Sequence, residues 1–117
     1  MNTEDITDFC THLPHVSADF PFGEQTLVFR VAGKLFLLLS LDTQPPRFNA
    51  KCEPQKALEL RERYGAILPG YHMNKTHWNT VVCDGSLPNK LIKECIQDSY
   101  WLIFNGLPAK VRKSLHE

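Results

Sequence analysis

The stretch T-L-V-F-R-V-A-G-K-L-F-L-L-L-S-L, from Thr26 to Leu41, constrains the fold most strongly. Two runs of β-branched, aromatic and aliphatic residues flank Ala32-Gly33, which is the pattern of a β-hairpin closed by a two-residue turn. The second run is apolar at nearly every position, so it offers no polar face to water and is predicted to be a central strand. A central strand needs a neighbour on its other side and a covering layer on at least one face.

The rest of the chain supplies both. Arg47 to Cys52, R-F-N-A-K-C, alternates so that Phe48, Ala50 and Cys52 share one face while Arg47, Asn49 and Lys51 share the other, toward water or a ligand. Trp78 to Cys83 reads as a further strand, closed by Asp84-Gly85. Thr3, as an N-cap followed by Glu4 and Asp5, opens a first helix in which Ile6, Phe9, Cys10 and Leu13 recur at the helical interval until Pro14. Pro54 opens a second, with Ala57, Leu58 and Tyr64 inward and Gly65 as its stop. Pro88 opens the longest, which runs to Asn105 with Gly106 as its cap and carries a broad stripe of Leu, Ile and Cys. Pro108 starts a short last helix in which Val111 and Leu115 pack. The segment from His15 to Glu24 reads as a connecting loop whose Phe20 and Phe22 tuck against the core edge. The order αβββαβαα predicts one α+β domain over residues 1–117: a two-layer fold, a mostly antiparallel sheet with helices packed on one face. The other sheet face is then at least partly open.

Thirteen basic residues balance thirteen acidic ones, so nothing in the net charge draws the chain to polyanions, and a nucleic-acid role has to rest on a local patch. The ends are modestly polarised: Glu4, Asp5, Asp8 and Asp19 lie near the start, and Lys110, Arg112 and Lys113 stand against Glu117 at the end. Cys10, Cys52, Cys83 and Cys95 lie far apart without a C-x-x-C pair, which predicts reduced, buried thiols in a cytoplasmic protein. The acidic N-terminus lacks a signal-peptide pattern and the longest apolar run, Leu35 to Leu39, is too short to span a bilayer, so no membrane partner is expected. Oligomeric state is left open.

Leu68 to Val82, L-P-G-Y-H-M-N-K-T-H-W-N-T-V-V, is the candidate site, a loop rich in stacking and hydrogen-bonding side chains that runs directly into a strand. For nucleic acid, Arg30, Lys34, Arg47, Lys51 and Lys75 would contact phosphates, and Tyr71, His72, Asn74, His77, Trp78 and Asn79 would stack on or hydrogen-bond to bases. A purely structural account is also open: Tyr71 and Trp78 as core-edge aromatics, Asn74 and Asn79 as turn-holders, and the cations as a solvated sheet face. His72 and His77, with His12, His15 and Cys83 elsewhere, do not have metal-ligand spacing, so neither metal nor cofactor is expected. Glu4, Asp5 and Asp8 can form a small acidic ridge on the first helix, and an exposed N-terminal turn accounts for them equally well. Cys83, Ser99 and His77 form no nucleophile context, and Gly65, Gly70, Gly85 and Gly106 are isolated turn or cap residues, so no catalytic residues are assigned and no enzyme is expected.

Several segments carry a resemblance: F-P-F-G at Phe20 to Gly23, V-A-G-K-L-F at Val31 to Phe36, K-C-E-P at Lys51 to Pro54, P-G-Y-H-M-N-K-T-H-W-N-T-V at Pro69 to Val81, Asp84-Gly85 with Pro88, D-S-Y at Asp98 to Tyr100, and G-L-P at Gly106 to Pro108. In this order and spacing they resemble the MmcQ/YjbR family, whose domain is grouped with CyaY-like (frataxin-like) folds. The resemblance implies that fold, and a DNA-binding, non-enzymatic role of "double wing" type in which strand and loop elements flank the nucleic acid. Binding would be weak and salt-dependent. The alternative is a protein-partner or small-ligand module using the open sheet face and the 69–79 loop, with Phe29, Phe36 or Phe48 exposed beside Trp78 as an apolar patch. The two readings expect opposite surface chemistry on one face.

Overall fold

The computed structural model describes residues 1–115; Glu117, with its charge, and His116 lie outside the described residues. The hairpin forms as expected. Strand β2 (Thr26–Val31) meets β3 (Lys34–Ser40) through Ala32 and Gly33, both at positive φ (48° and 84°), which matches the right-handed twist of the flanking strands. The register shifts between Phe29 and Arg30, which pair with Leu37 and Leu35 and leave Phe36 as an extra residue. Phe36 and Leu37 are consequently both fully buried, and the Phe36 ring meets Phe29 at 6.5 Å and Tyr100 at 5.5 Å.

Strand β4 (Arg47–Lys51) lies on the far side of β3, and β6 (Trp78–Val82) beyond it. Two further strands close the edges: β1 (Val16–Asp19) against β2, and β5 (Ile67–Pro69) against β6. The sheet is antiparallel throughout in the order β1-β2-β3-β4-β6-β5. The expected αβββαβαα order therefore stands with two edge strands added.

Helix α1 (Thr3–Thr11) starts one residue earlier than the sequence suggests. Asn2 is the N-cap, and its side chain and that of Asp5 bond each other's backbone N–H in a capping box. Helix α2 (Pro54–Arg63) is capped by Glu53, whose carboxylate accepts from the backbone N–H groups of Gln55 and Lys56. Leu58 does not point inward; it is exposed, and Ala57 and Leu60 take the inner positions. Helices α3 (Asn89–Asn105) and α4 (Ala109–Leu115) follow. Ile6 and Cys10 of α1, and Ile92, Ile96, Tyr100 and Phe104 of α3, join Phe29, Leu37, Leu39, Phe48 and Val81 in one cluster on one face of the sheet, with Val111 and Leu115 packed at its margin. No described helix is long and apolar enough to cross a membrane.

The segment after α1 departs most from expectation. Where a loop is predicted, β1 extends the sheet, and the Phe20–Gln25 connection projects from it. Phe20 and Phe22 are thus 50% and 65% exposed instead of tucked against the core.

Candidate ligand-binding groove

Register assigns every strand residue to a face. Phe29, Leu37, Leu39, Phe48, Ala50 and Val81 face the helices. Val28, Arg30, Leu35, Leu38, Ser40, Arg47, Asn49, Lys51, Trp78 and Thr80 face away, since side chains alternate and directly paired residues share a face. Phe29, Phe36 and Phe48, expected to be exposed in an apolar patch, are instead fully buried on the helix side. The open face has its own apolar floor: Val28 is completely buried, yet it lies outside the helix-side cluster.

Two loops rise over this floor. One is the Phe20–Gln25 connection; the other is the Gly70–His77 loop, whose shape follows from its sequence. Asn74 Oδ1 accepts from the N–H groups of Thr76 (2.9 Å) and His77 (3.3 Å), and Asn74 O accepts from Trp78 N at 2.9 Å. His72 sits at φ 59°, and its ring lies 4.0 Å from that of Tyr71. A closed set of hydrogen bonds ties the loop to the sheet. Tyr71 N donates to Thr80 Oγ1 at 3.0 Å, Thr80 Oγ1 donates to Asn49 Oδ1, and Asn49 Nδ2 donates back to Tyr71 O at 3.0 Å. Thr80 is buried beneath this contact, so its hydroxyl is satisfied without water.

Between the loops lies a groove of about 470 Å³ lined by Phe22, Thr26, Leu35, Leu38, Ser40, Asn49, Tyr71, His72 and Met73. Its walls are aromatic and aliphatic; its polar groups are the hydroxyls of Thr26, Ser40 and Tyr71, an amide and an imidazole. Such a concavity suits an apolar or aromatic group held in orientation by a few hydrogen bonds.

The residues predicted from sequence divide three ways. Tyr71 and His72 line the groove, and Asn74 shapes its loop. Arg47 and Lys51 stand on the open face, at opposite ends of β4. Trp78, paired with Lys51, is half-buried; Lys75 donates to Gly70 O at 3.4 Å; His77 is exposed on the loop. The remaining three do not converge. Arg30 is engaged by Asp19 at 3.0 Å; Lys34, paired with buried Val31 at the hairpin tip, belongs to the helix side; and Asn79 is buried on the helix side, donating to Ala57 O at 3.4 Å. The cations are therefore dispersed around an uncharged centre and do not form one surface.

Sequence reasoning missed Thr26, Leu35, Leu38, Ser40 and Met73 as lining residues. An unbroken apolar run hides which leucines of β3 face which way, and the shift of register at Phe36 resets the alternation. Phe22 could have been found, since an aromatic between Pro21 and Gly23 has little secondary structure to bury it.

Among the described residues no group of three or more His, Cys, Asp and Glu side chains is placed to hold a metal ion. The four cysteines are free, and burial pushes Cys10 and Cys95 up to about 12 and Cys52 to about 11. These thiols stay protonated at neutral pH and are poor nucleophiles.

Comparison with known proteins accounts for the architecture. The YjbR family model matches residues 11–102. The uncharacterised protein YbdF of Escherichia coli O157:H7 is 40% identical over 101 residues, covering 86% of this chain and 83% of that protein. Uncharacterised YjbR of Escherichia coli strain K12 is 30% identical over 115 residues, 98% of each chain. A crystal structure from Deinococcus radiodurans superposes with a TM-score of 0.91 at 36% identity, over 98% of this chain and 88% of that one. A second, from Pseudomonas syringae, gives 0.76 at 30% identity over 87% and 98%. The chain belongs to the YjbR family.

Proposed function

We propose that this protein is a binding module without catalytic chemistry of its own, whose groove takes an aromatic or apolar group from a small ligand or a partner protein. The observation that carries this reading is the pairing of Phe22 and Tyr71, 65% and 64% exposed, on two separate loops that wall one concave site. Large aromatics left in water over an apolar floor gain from a ligand that covers them. The inert thiols and the hydroxyl, amide and imidazole character of the lining support a binding role over covalent chemistry. Four free cysteines support a reducing, cytoplasmic setting.

The test is an amide-shift NMR screen with small aromatic fragments. Shifts are expected to concentrate at Phe22, Leu35, Leu38, Asn49 and Tyr71 to Met73, and to weaken in Phe22→Ala, a loop change that leaves the core intact. Shifts scattered over the helices would reject the groove.

DNA binding of double-wing type is the second reading, and one observation favours it. Arg47 and Lys51 flank the groove on the open face and make no ion pair among the described residues. Short single- and double-stranded DNA at several salt concentrations, with wild type and Lys51→Ala, tests it. Binding that falls with salt, with a slope smaller by roughly 0.7–0.9 in the variant, would support it; salt-independent or undetectable binding would not.

A further inference from the structure

The groove does not end at its apolar walls. Across Ser40, Asn49 and Tyr71, which line both, it opens into a smaller cleft of about 190 Å³ that also holds Asp42, Thr43 and Arg47. Two features of this cleft are unused by the fold. Thr43 Oγ1 is buried with no hydrogen-bond partner among the described residues. A buried hydroxyl left unpaired is costly unless something completes it. Arg47 makes no ion pair among the described residues, so its five N–H donors are free to form the planar fork that matches a carboxylate or phosphate.

We propose that the groove and cleft form one bipartite site for a planar ring joined by a short linker to a single anionic group. The ring lies between Phe22 and Tyr71, and the anion is held by the Arg47 guanidinium and the Thr43 hydroxyl. This rests on the groove reading and adds to it the charge of the ligand. Asp42 lines the same cleft and balances Arg47, so the cleft has no net charge to attract a free anion. The anion is carried in by its ring, and neither half alone binds well.

Calorimetric titration of the intact protein tests this with matched probes: thymidine 5′-monophosphate against thymidine, indole-3-acetate against indole, and inorganic phosphate alone. In at least one pair the anionic member is expected to bind about tenfold or more tighter than its neutral ring, the scale of one charge-assisted contact, with phosphate alone giving no measurable heat. Which pair shows the preference identifies the anion as phosphate or carboxylate. Arg47→Gln should bring that ratio close to one while leaving neutral-ring binding intact, and Asp42→Asn should raise it. Comparing the monophosphate with a short thymidine strand separates a free nucleotide from a strand as its source: added salt-dependent affinity for the strand marks the latter.

Neutral rings that bind as tightly as their anionic partners, with Arg47→Gln indistinguishable from wild type, would overturn this proposal and leave the groove reading standing. No binding of any ring would overturn both.

Discussion

The hydroxyl of Ser99 joins helix α3 to two strands at once, accepting from Lys51 N at 2.8 Å and donating to Phe36 O. Ser99 has no exposed surface, so neither backbone group has water to turn to if the hydroxyl is removed. Ser99→Ala should lower stability by about 2 kcal/mol, read from the midpoint of urea unfolding at unchanged slope. A loss near zero would mean the backbone shifts to satisfy both groups. Gly70 is fixed by a different constraint. A Cβ there would lie 2.8 Å from both Cβ and O of Trp78, because the end of β5 crosses close over β6 to start the loop. Gly70→Ala should cost about 2 kcal/mol and broaden the NMR signals of Tyr71 to Met73, whereas Gly65→Ala, with open space around it, should cost far less. The sequence shows glycine at both positions, and only the close approach of two strands tells them apart.

At the scale of elements, the helices and inner strands were legible because each carries its own periodicity and its own stop signal: Pro54, Pro88 and Pro108 at helix starts, and the Ala32-Gly33 turn. The edge strands were not. In β1 three of four residues are exposed, so no burial pattern distinguishes it from a loop, and its pairing with β2 is a property of the sheet. β5 is three residues long and ends on Pro69, which is tolerated at an edge and reads from sequence as a break. The open-face groove was legible only in part, since Tyr71 and His72 belong to a conspicuous loop while Leu35 and Leu38 are hidden in a uniform strand. The contact between α2 and α3 was likewise invisible. Lys56 Nζ bonds Asp98 at 2.6 Å and Glu94 at 2.9 Å, and these two carboxylates, Asp98 foremost, hold its pKa above the usual lysine value. All three groups are about a third or more exposed, which screens them. Lys56→Gln should therefore cost no more than about 1 kcal/mol, with the loss shrinking at high salt; a loss of several kcal/mol independent of salt would show a buried pair instead.

For the molecule as a whole, the distribution of thiols sets a pH limit on stability. Cys10 on α1, Cys52 after β4 and Cys95 on α3 sit at three different points in or against the packed layer between helices and sheet, and burial raises each from an ordinary 9.0, to about 12, 11 and 12. Below about pH 8 these thiols keep their protons in both the folded and unfolded chain and their contribution is constant; ionisation in the unfolded chain is half complete at the ordinary value of 9.0. Between about pH 8 and 11 the unfolded chain loses the protons while the folded chain retains them. The unfolded state then binds fewer protons, so stability falls as pH rises, by up to about 1.4 kcal/mol per thiol for each pH unit. Urea midpoints at pH 7 and 8 should nearly coincide, and those at pH 9, 10 and 11 should drop progressively. Lysine and tyrosine ionisation acts in the same range, so the decisive comparison is with Cys10→Ala, which is less stable at pH 8 but should lose less on going to pH 11. If wild type and variant decline in parallel, the buried thiol at Cys10 contributes nothing to the alkaline limit.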